Sequence, residues 1–431
     1  MIRQTAAFVL SAGLLAGVAA LDAQNVGGWP AWRGPQGTGV STTAKPPTEW
    51  GESKNVRWKI EIPGRGSASP IVWRDRVYIL TAVPAGTDLA SSHAASRGKN
   101  RYVVMAVDRK TGKTVWEQIA REEEPHEGTH NQFGTYASSS AVTDGDVLIA
   151  SFESRGIHGY DLTGKKLWDV DLGDKQMRNE FGEGTTPALH QDRIFVVWDH
   201  QGQSFIVALD KKTGKELWRT NREEIDSWAT PLVVEANGKA QVVTSGMRRV
   251  RSYDAQTGAL VWEMEGLTMN PIPSPVYADG IVYLMSGFRG NSLKAVRVAD
   301  AKGDITDSPA VVWTFERDTP YVPSPLLYDG VLYFFKGNTG VLSVFDGKSG
   351  KPHYQLQRID GAPNVFASPV GADGKVIIQG QDGVAVVLKH GPTYEVLATN
   401  RLDDKFDASP ALVDGEIYLR GYRYLYCVAA Q

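Results

Sequence analysis

The chain has 431 residues, 46 Lys plus Arg against 49 Asp plus Glu and a formal net charge of -3, so it lacks the basic footprint that nucleic-acid binding requires. Its one cysteine, Cys427, excludes an intrachain disulfide framework, and 45 glycines with 10% aromatics suit many short strands and tight turns. Stability must then come from packing.

The N-terminal end reads as a targeting segment. Arg3 precedes an apolar stretch, Ala6 to Ala20, that is short for a bilayer span, and Leu21-Asp22-Ala23 offers a small-residue cleavage site. Residues 1–23 are therefore expected to be a secretory signal peptide, which implies a periplasmic or secreted protein with no transmembrane segment in the mature chain. No Cys follows the apolar stretch, so a lipid anchor is not expected. An arm over residues 24–49 comes next. Its Gly, Pro and Thr content argues against regular structure, while Trp29 and Trp32 in Trp29-Pro30-Ala31-Trp32-Arg33-Gly34-Pro35 predict that it packs onto the fold.

From residue 50 to 431 the chain is repetitive. Val56-Arg57-Trp58-Lys59-Ile60 is a Trp-bearing strand with no hairpin before it. Ala106-Val107-Asp108-Arg109-Lys110-Thr111-Gly112-Lys113-Thr114-Val115-Trp116 then recurs at Ala208 to Trp218, at Ser252 to Trp262 and, one residue shorter, around Asp161, Thr163, Gly164 and Trp168. An apolar run ends at Asp, Thr-Gly makes a turn, and a second apolar run ends in Trp: a β-hairpin. A second hairpin lies upstream of each copy, clearest at Ser274 to Tyr283, with Asp-Gly turns at positions 144, 279, 329, 373 and 414. Its Ser/Thr-Pro opening recurs at Ser69, Thr186, Thr230, Ser274, Ser324, Ser368 and Ser409, and Ser139-Ser140 fills the long first interval. Two hairpins in each of eight units predict an all-β, eight-bladed β-propeller of four-stranded antiparallel blades. The last unit ends at Tyr424 to Val428 without a fourth strand, so the N-terminal strand is expected to close the ring.

The Trp positions degenerate along the ring. Blade 5 keeps Trp313 but replaces the short turn by Asp300 to Ala310, blade 6 has Tyr354 in the Trp place, and blade 7 has Leu397. These residues therefore read as packing groups, and Cys427 as a small buried hydrophobe.

Binding chemistry is expected in the connections between blades. Six residues converge there as ligand-binding candidates: Arg178, Asn179 and Glu183 before blade 3, Trp228 before blade 4, Asn270 before blade 5, and Arg289 in the outer loop of blade 5. Arg with Asn and Glu around an apolar-rimmed funnel suits a carboxylate-bearing small ligand or a peptide. Blade 1 carries two enlarged loops, Ala82 to Asn100 with His93, and Arg121 to Phe133 with His126, Glu127 and His130. The His-Glu-x-x-x-His spacing is one residue longer than that of the zincins, and Pro125 and Gly128 oppose a helix, so no metal is expected. The second loop is expected to cover part of the ring face.

The Ala-x-Asp-x-x-Thr-Gly-x-x-x-Trp units resemble the repeat of the pyrroloquinoline-quinone-type eight-bladed propellers. The Trp29 to Pro35 segment and Tyr136-Ala137-Ser138-Ser139-Ser140 are similar to those of exported bacterial proteins of that superfamily. Two branches give the resemblance its functional content. In the quinoprotein dehydrogenases a quinone lies in the central funnel beside calcium, an aspartate base and an adjacent cysteine pair, which this chain, with Cys427 alone, cannot form. The other branch is the non-catalytic propeller scaffold of the outer-membrane protein assembly machinery. The expected function is accordingly an exported, monomeric, non-catalytic binding or scaffold propeller. It would hold an envelope protein or a small anionic ligand at the loop face and funnel, without a cofactor. The alternative is a dehydrogenase that oxidises alcohols or sugars with pyrroloquinoline quinone and calcium.

Overall fold

The computed structural model describes residues 28–86 and 97–430; the predicted signal peptide and His93 lie outside the described residues. Eight antiparallel sheets follow one another along the chain. Blade 1 comprises Ile71–Trp73, Arg76–Pro84, Asn100–Asp108 and Thr114–Glu123, in that spatial order. Blade 8 comprises Ala411–Val413, Glu416–Arg420 and Tyr424–Ala429 and takes its outer strand, Val56–Glu61, from the other end of the chain, with Trp58 opposite Cys427. The N-terminal strand thus closes the ring, and Cys427 is buried in the sheet. Two ion pairs hold the seam, Arg109 to Asp414 at 2.5 Å and to Glu416 at 2.6 Å.

Register explains the turn residues. Ala278 faces Ile281, Tyr328 faces Val331 and Ala372 faces Lys375, leaving two-residue Asp-Gly turns in which both residues lie at positive φ. That conformation matches the twist of the flanking strands. The Asp-x-x-Thr-Gly turn is built differently. Asp108 Oδ1 accepts the Thr111 N–H at 2.8 Å and its hydroxyl at 2.7 Å, and Asp210 with Thr213 and Asp254 with Thr257 repeat the arrangement.

Each such turn sits on the indole of the preceding blade. Trp58 Nε1 donates to Arg109 O at 2.9 Å, Trp116 to Leu162 O at 3.2 Å, Trp168 to Lys211 O at 3.0 Å and Trp218 to Ala255 O at 3.1 Å. The Trp is therefore a packing group with a directed hydrogen bond, and the Thr-Gly-Trp motif is a contact between blades. The turn glycine has two reasons to be glycine. Gly258 has φ +73, and a Cβ there would stand 2.5 Å from the Trp218 ring, whereas Gly238 has φ +72 with open space around it. Gly238→Ala is expected to cost about 1 kcal/mol for the backbone alone. Gly258→Ala adds an overpacking cost of about 1–3 kcal/mol. Denaturation midpoints would check this, and equal losses for the two variants would refute the interlocking role.

Two details depart from the uniform repeat. With no short turn in blade 5 to receive it, Trp262 Nε1 donates within its own blade to Gln241 Oε1 at 3.1 Å. The Asp300 to Ala310 insertion instead lays Gly303–Asp304 alongside Leu260–Glu265 as a parallel fifth strand, so blade 4 is five-stranded. In blade 7 the Trp place belongs to Ala398, opposite Val387, and not to Leu397, which is exposed. The bulge between Val387 and Leu388 is the one the other blades share; what shifts the strand is a turn one residue longer, in which Lys389 N closes on Glu395 O where Asp108 N closes on Lys113 O. The missing bulk comes from the arm, whose buried Trp50 shares a core cluster with Ala398.

The arm crosses one face of the ring. Trp29 pairs with Val72 of blade 1, and Pro30 O accepts Thr143 N of blade 2 at 2.9 Å. The buried Arg33 guanidinium then donates to Pro325 O at 2.6 Å and Pro369 O at 2.7 Å, at the starts of blades 6 and 7. Ser41 N reaches Gly371 O at 2.9 Å before the chain enters blade 8.

Candidate functional site

The Ser/Thr-Pro residues that mark the blades form one closed circuit around the axis. Ser69 N donates to Ser140 Oγ at 2.9 Å, Ser140 N to Thr186 Oγ1 at 3.0 Å, Thr186 N to Thr230 Oγ1 at 3.3 Å and Thr230 N to Ser274 Oγ at 2.8 Å. Ser274, Ser324 and Ser368 continue to Ser409 at 2.9 Å each, and Ser409 N returns to Ser69 Oγ at 2.9 Å. A small hydroxyl-bearing residue is required at every station, because each must both approach the axis and accept a neighbour's N–H.

This circuit divides two cavities. Residues that precede it line a loop-face funnel of about 270 Å³, and the Pro residues that follow it, with the arm, line a second cavity of about 240 Å³ on the opposite face. Trp32 lines both and so stands between them, with its Nε1 directed to Ser409 Oγ at 3.4 Å.

A fixed offset from the circuit sets the funnel wall. In the connections just ahead of the inner strands, all eight residues two positions before the hydroxyl circuit line the cavity: Ser67, Ser138, Gly184, Trp228, Ile272, Val322, Phe366 and Asp407. The enlarged Arg121 to Phe133 loop reaches over this wall. His130 N donates to Phe181 O at 3.1 Å, the His130 ring lies 5.1 Å from Phe133, and Phe133 reaches Phe366, in the connection before blade 7, at 4.5 Å. The loop thus covers part of the ring face.

A buried ionic network anchors that loop. Lys175 and Glu153 pair at 2.6 Å with 1% and 4% of their side chains exposed, and Thr185 N donates to Glu153 Oε1 at 3.1 Å. Burial pushes the Glu153 carboxyl up to about 7; Lys175 opposes this shift and the nearby Glu183 adds to it. Glu183 accepts Ser154 N at 2.9 Å and Ser154 Oγ at 2.5 Å, and burial raises its carboxyl too. His126, Glu127 and Glu183 bring one ligand atom each within 4.8 Å of one another. Both His126 ring nitrogens are already engaged, Nδ1 with Arg155 Nη2 at 3.0 Å and Nε2 with Lys175 O, so the grouping works as a loop anchor. His130 stands apart from it, stacked at the funnel mouth.

Of the six predicted site residues, Glu183 and Trp228 line the funnel, the indole held by a 2.7 Å hydrogen bond to Gly182 O. The other four lie outside its lining. Arg178 donates to Asp226 at 3.1 Å, Asn179 occupies a left-handed position in the 3-10 turn Arg178–Glu180, Asn270 is buried, and Arg289 is exposed beside the Phe288 ring. Asp407 escaped the sequence reading. It accepts Tyr422 OH at 2.6 Å and Gln381 Nε2 at 2.8 Å, and burial raises its carboxyl. Its signal was its place two residues before Ser409.

The family model described as outer membrane protein assembly factor BamB matches residues 35–180 and 156–307, more than half of the chain. The chain belongs to that family. The BamB of Shewanella oneidensis is 23% identical over 326 residues, 70% of this chain and 72% of that protein. With the BamB of Moranella endobia the match is 26% over 150 residues, 32% of this chain and 35% of that one. Among solved structures, BamB from Moraxella catarrhalis superposes with a TM-score of 0.59 at 15% identity, covering 86% of this chain and 99% of that one. A europium-containing methanol dehydrogenase superposes at 0.63 with 11% identity, covering 93% and 91%. The structural likenesses extend to the fold alone, which both branches share. No helix among the described residues is long and apolar enough to cross a membrane.

Proposed function

We propose that this protein is an exported, non-catalytic propeller that serves outer-membrane protein assembly by holding a protein partner at its loop face and funnel. Family membership supports the scaffold class. The observation that carries the location is a funnel with an aromatic mouth, with Trp32 standing between it and the second cavity. Its place of action would be the periplasm, after removal of the leader.

The quinone alternative meets a chemical obstacle in the lining. Pyrroloquinoline quinone carries three carboxylates, and among the described residues the funnel lining contains no Lys or Arg, while it does contain Glu183 and Asp407. These residues do not fit the group, and they fit the anticipated anionic ligand no better.

Photo-crosslinking tests the scaffold reading. Benzoylphenylalanine in place of Trp228 should yield envelope-protein adducts that the same group at Val115, exposed on an outer strand, does not. Equal labelling at the two positions would refute it. Dye reduction with alcohols after addition of pyrroloquinoline quinone and calcium would restore the dehydrogenase reading.

A further inference from the structure

The funnel lining constrains the charge of its occupant. Trp228, Phe181, Phe133 and Phe366 supply aromatic rings, Glu183 and Asp407 supply carboxyls from connections far apart on the ring, and among the described residues the lining holds His130 but no Lys or Arg. Aromatic faces carry negative quadrupole potential and attract ammonium and guanidinium groups. An anion would meet repulsion from both kinds of wall. Of the protein's own cations nearby, Lys175 pairs with Glu153 at 2.6 Å and Arg178 with Asp226 at 3.1 Å, while Arg65 lies over the Tyr422 ring at 4.4 Å and only partly offsets the effect of burial on Asp407.

Size and access narrow the choice. The cavity of about 270 Å³ is bounded below by Trp32 and is smaller than the usual drug-sized site. It admits one long side chain and no helix, whose diameter alone is about 10 Å. The hydroxyls of Ser69 and Ser140 at its floor each accept a backbone N–H and keep a second lone pair for a donor from above.

We propose that the funnel takes a single lysine or arginine side chain presented by an extended segment of the partner, its charged end among the aromatic faces and toward Glu183 and Asp407. This rests on the reading that the loop face binds a protein. A bound cation also opposes the effect of burial on both carboxyls, its charge drawing them toward the ionised form.

Calorimetric titration of the full chain tests it with capped tripeptides carrying lysine, arginine, norleucine or glutamate between two glycines. The lysine and arginine peptides should bind about ten-fold more tightly than the norleucine peptide, and the glutamate peptide more weakly still. Glu183→Gln and Asp407→Asn, singly and together, should erase that preference while the norleucine peptide still binds as it does to the parent, which reports an intact funnel. Equal binding of the norleucine and lysine peptides overturns the proposal without any variant, as does a preference that survives loss of both carboxyls. Butylammonium binding as tightly as the lysine peptide overturns the assignment to a partner's side chain. Funnel crosslinks to envelope proteins without a cation preference would remove this inference and leave the scaffold reading standing; absence of crosslinks would remove both.

Discussion

Arg222→Met is expected to lower stability by about 3–5 kcal/mol, the usual cost of leaving a buried ion without its partner. Arg222 and Asp199 are fully buried, with Nε to Oδ1 at 2.7 Å and Nη2 to Oδ2 at 3.0 Å. The remaining guanidinium nitrogen donates to Thr244 Oγ1 at 2.7 Å and Tyr253 OH at 2.9 Å, so the cation ties blade 3 to blade 4. Burial alone would lower the Arg222 pKa; Asp199 more than offsets it, and the net shift is upward. Methionine fills much of the space but leaves the Asp199 carboxylate and the Tyr253 hydroxyl without a partner, while Thr244 Oγ1 keeps its hydrogen bond to Arg251 O at 3.1 Å. The double variant Arg222→Met, Asp199→Leu should recover most of the loss, because removing both ions removes the desolvation penalty as well. Urea denaturation midpoints of the four proteins in the cycle would measure it. Additive losses would show that the pair is not coupled.

Lys175→Met should be comparably severe at pH 8 and much milder at pH 5. Glu153 has its carboxyl raised to about 7 from an ordinary 4.5. The folded state therefore holds this proton more tightly than the unfolded chain does. Its contribution to stability is complete below about 4.5 and is lost as pH rises through about 7. Without the ammonium, the carboxyl is pushed higher still. At pH 8 folding must then bury an unpaired carboxylate or take up a proton, a penalty of about 3–5 kcal/mol. At pH 5 a neutral Glu153 needs only its hydrogen bond from Thr185, and most of the penalty disappears. Denaturation midpoints at the two pH values decide the point, since equal losses would mean that Lys175 acts through packing against Trp198, 4.7 Å away.

How much of the site was legible depended on whether its signal was periodic. Trp228 and Glu183 were found as polar and aromatic residues in the connections, and both reach the funnel. Arg178 was chosen by the same reasoning, but Asp226, 48 positions away, turns its side chain aside. Asp407 carried a usable mark, its fixed offset from Ser409. The Glu153–Lys175 pair carried none, because its partners lie 22 residues apart in unrelated motifs.

The sequence by itself determined the blade count, the turns other than the four-residue loop at Asp144, where Thr143 pairs with Leu148, and the closing strand, because each is a local pattern repeated at a period. The Ser/Thr-Pro stations could be counted from the linear chain, and so could the strand around Trp58 that lacked a hairpin. Tertiary structure alone decided what those stations do. Only in the closed ring do eight hydroxyl-bearing residues meet head to tail, do the indoles of Trp58, Trp116, Trp168 and Trp218 find carbonyls in the next blade's turn, and does Trp32 come to line the funnel. It also decided the charge of the funnel. Which side chains line the funnel follows from their offset from the hydroxyl circuit in each connection, but which cations stay there depends on carboxylates brought in from distant parts of the chain.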